Sequence, residues 1–187
     1  MSKRILLLFL FLGSGSSALA QEETLLRGDF ESGGFGGPVV KFTEVADQFA
    51  VFAGARGGWI INHTLILGAG GYGLTNEIDL DDNPFNGRDV EFGYGGLELE
   101  YVNSSNKLAH LTLYLLIGGG GLTTNFIDGE SVFVLEPLAN IEVNVAKWFR
   151  LSAGGGYRLV VGVDTPGLED RDLSALVGVL AFKFGVF

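Results

Sequence analysis

Between Gly34 and Phe187 the chain alternates apolar and polar positions with a period of two, the spacing of a β-strand and not of a helix. Eight strands are predicted, at about 35–45, 49–61, 64–76, 90–102, 108–122, 131–145, 149–163 and 173–187. Four of them resolve into two faces. In the fourth, Leu97, Leu99 and Tyr101 oppose Phe92, Tyr94, Glu98 and Glu100. In the fifth, Leu111, Leu113, Leu115 and Ile117 oppose His110, Thr112 and Tyr114. The sixth sets Ile141, Val143 and Val145 against Glu136, Asn140, Glu142 and Asn144. The seventh sets Leu151, Tyr157, Leu159 and Val161 against Arg150, Ser152 and Arg158. One wholly apolar face and one polar face per strand is what a sheet bathed in lipid on one side requires. A water-soluble barrel would use the same alternation with its faces reversed.

The stretch from Phe49 to Thr75 argues for the membrane. It holds one formal charge, Arg56, and its hydropathy alone would suit a spanning helix. Seven glycines in it, each costing about 1 kcal/mol in a helix interior, exclude that. It reads instead as two strands turning at Asn62-His63, each long enough to cross a bilayer with tilt. A lone hairpin leaves unpaired edges in lipid, so the remaining strands must close a barrel around it. The expected fold is an all-β, eight-stranded antiparallel up-and-down transmembrane barrel.

The connections alternate accordingly. Asn62-His63, 103–107 and 146–148 are short, whereas 77–89, 123–130 and 164–172 are longer; only 46–48 breaks the alternation. In a barrel whose N-terminus is periplasmic, the short ones are periplasmic turns and the longer ones extracellular loops. Trp59, Tyr101, Trp148 and Phe187 all fall at the periplasmic strand ends, where an aromatic girdle is expected.

Composition adds the compartment. Lys3-Arg4, the apolar run Ile5–Leu12 and Ala18-Leu19-Ala20 form a secretory signal peptide over 1–20. Residues 21–33 are then a polar periplasmic lead-in, and 34–187 the barrel. The chain has no Cys, so it uses no disulfide and carries no lipoprotein anchor. Its 30 glycines are neither periodic nor accompanied by proline, and their place inside apolar strands signals close backbone approach in a curved sheet.

With the signal peptide, eight alternating strands and terminal Phe187, the chain resembles the small eight-stranded outer-membrane barrels of Gram-negative bacteria, the OmpX- and OmpA-type proteins. The resemblance covers Gly34 to Phe187 and is architectural. It implies outer-membrane lipid and lipopolysaccharide as surroundings, and contact with the barrel-assembly machinery through the C-terminal strand. In such barrels, apolar residues precede the terminal aromatic at every second position. Here the series Leu180, Phe182, Phe184, Val186 runs one residue out of step, and Lys183 takes a position that should be apolar.

The chemistry-bearing residues fall in three places. The polar faces send Lys41, Arg56, Arg150, Arg158 and Lys183 into the lumen against Glu98, Glu100, Glu136 and Glu142. An eight-stranded barrel is just wide enough to be filled by its own side chains, so these charges should pair and plug it, Arg56 and Arg158 with Glu98 and Glu136. A narrow channel is the alternative. Second, His110 and Thr112 share a face near Glu98 and Glu100, the nucleophile–base–acid grouping that membrane-embedded lipid A deacylases use. It points inward at the periplasmic end, away from the outer leaflet, so no enzyme and no cofactor are expected. His63 sits in a turn and is solvated.

Third, the outer connections collect the acid that gives the chain its net charge of −10. Asp79, Asp81 and Asn83 begin like a calcium loop, but Pro84 replaces the required Gly and Val90 the bidentate acid. An EF-hand is excluded, leaving at most a weak cation contact at Asp79, Asp81 and Asp82. The acidic outer side disfavours nucleic acid and other polyanions and suits cations or cationic peptides as extracellular ligands.

Overall fold

Strand-forming alternation with no edge to spare leads to one closed sheet. In the computed structural model, which describes residues 31–78, 90–124, 127–164 and 167–187, eight strands pair antiparallel in sequence order. They are β1 (Ser32–Val45), β2 (Gln48–Ile61), β3 (Leu65–Leu74), β4 (Val90–Asn103), β5 (Ala109–Thr124), β6 (Ile127–Ala146), β7 (Phe149–Val161) and β8 (Ala175–Val186), and β8 pairs back on β1. Both described chain ends lie at one rim, called here the terminal end; the other rim is the far end.

The two faces fall as the alternation predicts. Leu97, Leu113, Ile141 and Leu159 point outward and are exposed, whereas Glu98, Thr112, Glu142 and Arg158 are buried inside. At the terminal end, Asn62 and His63 have φ of 48° and 52°, the left-handed pair that lets a two-residue turn match the twist of a hairpin. Ala46 and Asp47, with φ of 48° and 60°, do the same at the far end, which is why that connection is short.

Three expectations need correction. The expected long connection 123–130 is largely sheet: β5 runs on to Thr124 and β6 starts at Ile127, with Leu122 opposite Glu130. Above the apolar band both faces of a hairpin meet water, so alternation fades while backbone pairing continues. β1 likewise starts at Ser32, inside the expected lead-in. The connection expected at 164–172 is long, running from Gly162 to Ser174, and it holds a short helix, α1 (Asp170–Leu173), made by a capping box between Glu169 and Asp172; its Leu173 is fully buried at the far end.

The third concerns Phe187. Trp59, Tyr101 and Trp148 are exposed on the outer wall, but Phe187 turns inward. Its ring stacks 6.4 Å from Phe35 and packs on a cluster of Phe35, Ile60, Ile66 and Val102 at the terminal end of the lumen. This explains the out-of-step series: Phe184 and Val186 are exposed outward, Lys183 is buried inward, and Phe187 follows Lys183.

The lumen is also more apolar than the polar faces suggest. Towards the far end Val45, Ala50, Phe52, Phe92, Leu116, Leu122, Val134 and Leu173 form a continuous core. Inward glycines make room for larger neighbours. A Cβ on Gly70 would lie 2.2 Å from Glu98 Oε1 and 2.7 Å from the Tyr72 hydroxyl.

Candidate functional site

All nine charged residues expected in the lumen are buried. Eight of them pair with one another, all between different strands, and only Arg150 and Glu142 sit on adjacent ones. Lys41 on β1 reaches Glu136 on β6, Nζ to Oε1 2.5 Å. Arg56 on β2 places Nε 2.8 Å from Glu98 Oε2 and a terminal nitrogen 2.8 Å from Glu100 Oε2, both acids on β4. Lys183 on β8 lies 2.8 Å from Glu100 Oε1 and 2.5 Å from Glu142 Oε2. Glu142 on β6 also accepts from Arg150 at 3.1 Å. A chain of contacts thus runs from β2 through β4 and β8 to β6 and β7.

Tyrosines complete the acids' shells. Tyr72 and Tyr114 both donate to Glu98 Oε1, at 2.6 and 2.8 Å, and Tyr94 donates to Glu136 Oε2 at 2.7 Å. Lys41 Nζ lies 3.3 Å from the centre of the Tyr72 ring, a cation–π contact that adds to its ion pair. Sequence reasoning places Tyr94 and Tyr114 on the inner face but assigns them no role. The signal was there, since an aromatic carrying one hydroxyl among buried acids needs a partner for that hydroxyl.

Arg158 departs from the expected pairing with a carboxylate. Its Nε donates to the Leu173 carbonyl at 2.8 Å and a terminal nitrogen donates to the Glu44 carbonyl at 3.0 Å. Its guanidinium lies 5.0 Å from the Phe52 ring centre. It therefore ties α1 and the end of β1 to the far-end core. The reason lies in the strand heights: Arg158 sits near the far end of β7, where its inner-face neighbours are apolar.

His110 is buried with its ring nitrogens engaged, Nδ1 at 3.2 Å from the Lys107 carbonyl and Nε2 at 3.2 Å from Glu142 Oε1. The acid beside it comes from β6, not β4. Register decides this: His110 is paired with Glu142, whereas Glu100 stands opposite Tyr114, four residues up β5. His63, expected to be solvated, is half exposed and contacts the exposed carboxylate of Glu31.

Asp79, Asp81 and Asp82 lie outside the described residues, as does the 1–20 segment. Asp170 Oδ1 accepts the Gly162 and Val163 amides at 2.9 and 2.8 Å, so this acid holds a turn. Among the described residues no three His, Asp or Glu side chains are grouped to hold a metal ion.

No family model matches the chain, and no curated protein matches it. Solved structures do match in fold. Neisserial surface protein A aligns at a TM-score of 0.63 and 13% identity, over 85% of this chain and 99% of that one. The N-terminal barrel domain of OprF from Pseudomonas aeruginosa gives 0.53 and 8%, over 81% and 96%. Ail, the attachment invasion locus protein of Yersinia pestis, in complex with the heparin analogue sucrose octasulfate, gives 0.50 and 17%, over 84% and 98%. These are eight-stranded outer-membrane barrels, and this chain has their fold.

Proposed function

We propose that the chain is an integral outer-membrane barrel whose interior is closed by its own side chains, so that its work is structural or is done at the exposed surface. One observation carries this reading: the distribution of polarity is that of a soluble protein turned inside out. The outer wall bears Leu97, Leu113, Ile141 and Leu176, with Leu97 and Leu176 74% and 75% exposed. Nine acids and bases are buried inside, eight of them paired with one another. In water that wall would be an apolar patch far beyond what a monomer tolerates; in hydrocarbon it is the required surface. The likeness of fold to three outer-membrane barrels supports the same placement.

The termini are then periplasmic and the acidic far end extracellular. Outer-membrane lipid and lipopolysaccharide surround the wall, and β8 is the strand offered to the barrel-assembly machinery. The far end favours cations or cationic peptides as ligands and disfavours nucleic acid. The polyanion carried by Ail has no counterpart in this chemistry. No enzymatic role is proposed, because both His110 ring nitrogens are engaged away from Thr112. The test is fractionation of cells expressing the chain, with electrophoresis of unboiled samples. The protein should remain with the outer membrane after salt washing and run at a different position before and after boiling. Recovery as a soluble periplasmic protein without detergent would end this reading.

A further inference from the structure

The barrel is closed, but two of its backbone ladders are interrupted. The β1–β8 ladder skips Gly37 and Pro38 and ends at Phe42 opposite Gly178, short of the ends of β1 at Val45 and β8 at Ala175. The β6–β7 ladder skips Glu136 and Pro137, resuming at Leu138 opposite Gly156. Proline has no N–H to give a ladder, so each interruption follows from the sequence. Beside Pro137, and where the β1–β8 ladder ends, lies an outward groove of about 880 Å³, open on one side. Gly155, Gly156 and Gly178 form its floor, and Phe42, Phe49 and Leu176 stand among its walls. Thr43 and Val177, both buried, also border it, and the Thr43 hydroxyl donates to the Leu176 carbonyl at 2.8 Å, bridging β1 and β8 past the end of their ladder.

The groove is amphiphilic in one direction. At its far-end limit stands Glu44, exposed and directly opposite Phe49, and it is the one charged residue in the lining. Among the described residues no cation pairs with its carboxylate; Arg158 bonds its carbonyl instead. From Ser174 to Gly178 the groove runs four residues, about 13 Å along a strand, enough for a segment of one extended alkyl chain.

Resting on the membrane placement above, we infer that this groove is a binding site for an amine-headed lipid. One acyl chain lies on the Gly155–Gly178 floor and the ammonium group meets Glu44. Charge selects the head. An anionic phosphate without an amine is repelled by Glu44, while a primary ammonium donates hydrogen bonds to it. Shape selects the chain, since the floor offers no side chains and the walls are aromatic or aliphatic.

The test uses brominated chains as short-range quenchers of tryptophan. In a background where Trp59 and Trp148 are replaced by Phe, a Phe49→Trp reporter sits opposite Glu44. A Phe133→Trp reporter, outward on β6 and away from the groove lining, is the control. The folded protein is placed in vesicles of equal phosphatidylethanolamine and phosphatidylglycerol, with bromine on one lipid or the other in separate preparations. The reporter should be quenched about two- to fivefold more by brominated phosphatidylethanolamine, the preference an exposed ion pair supplies. The control should be quenched equally by both. Glu44→Gln should abolish the preference. Gly178→Leu should reduce it by filling the floor, and it fits there because the nearest atom to its Cβ is the Phe42 carbonyl oxygen at 3.8 Å. Equal quenching of the reporter by both lipids, or a preference that survives both substitutions, overturns the site. A control quenched by neither lipid removes the membrane placement, and the site with it.

Discussion

The Lys41–Glu136 pair offers the sharpest reading of how the interior is held. Both side chains are fully buried, 2.5 Å apart, and reach across the lumen from β1 and β6. Within ion-pair distance each has only the other among the described residues; the further polar contact of Glu136 is the Tyr94 hydroxyl. At an effective dielectric constant of ~20, charges at this separation attract by roughly 6–7 kcal/mol, and desolvation offsets much of that. Lys41→Met removes the attraction and leaves a buried carboxylate with one hydroxyl donor, so it should cost about 3–5 kcal/mol. Glu136→Gln should cost a similar amount by stranding the ammonium. The double variant Lys41→Met, Glu136→Gln carries no uncompensated charge and should lose far less than the two single losses together. The coupling should be at least about 2 kcal/mol, well above the ~0.5 kcal/mol within which independent sites add. Urea titration of the folded barrel in lipid vesicles, read by tryptophan fluorescence, measures all four species. Additive single losses would mean that the two groups do not meet, and the arrangement of the interior would have to be redrawn.

Two further outcomes follow from position alone. Leu97→Arg, on the outer wall in mid-strand, should cost about 2–4 kcal/mol in bilayers because it places a charge in hydrocarbon. A neutral result in the same urea titration would refute the face assignment. Gly70→Ala and Gly71→Ala form an adjacent contrast. The first drives a methyl into Glu98 and Tyr72 and should cost about 1–3 kcal/mol, while the second meets nothing within 4 Å and should fall within about 0.5 kcal/mol of the parent. Equal costs would contradict the described packing.

Much of the architecture was legible because one physical rule governs every strand: a residue meets either lipid or the lumen. That rule separated Leu97 from Glu98 and Leu113 from Thr112, and it named the nine Lys, Arg and Glu side chains buried among the described residues. It could not say which charges meet, because the pairing of Lys183 with Glu100 and Glu142 depends on the stagger of eight strands around the closed sheet. Asp128 and Glu130 were read as loop for the opposite reason. Outside the apolar band the rule has nothing to discriminate, and only the backbone ladder, invisible in sequence, continues. Phe187 shows a third limit. An aromatic at a strand end suits the outer girdle or an inner cap, and the choice was made by Phe35 and by Arg150, whose guanidinium lies 4.1 Å from the Phe187 ring centre. The short helix carrying Leu173 left too little pattern to find, since four residues hold about one turn.

The central claim is that the interior is closed. Above the ionic contacts of Arg56, Glu98, Glu100, Lys183 and Glu142 lies an apolar core with Arg158 at its rim, the two layers on which the proposal of a closed interior rests. Recording from a planar bilayer containing the purified, unmutated barrel tests this directly. The account predicts no steady conductance under applied voltage, and steps in current once Arg56→Ala and Arg158→Ala are introduced together. Steady open-channel current from the unmutated protein would contradict it.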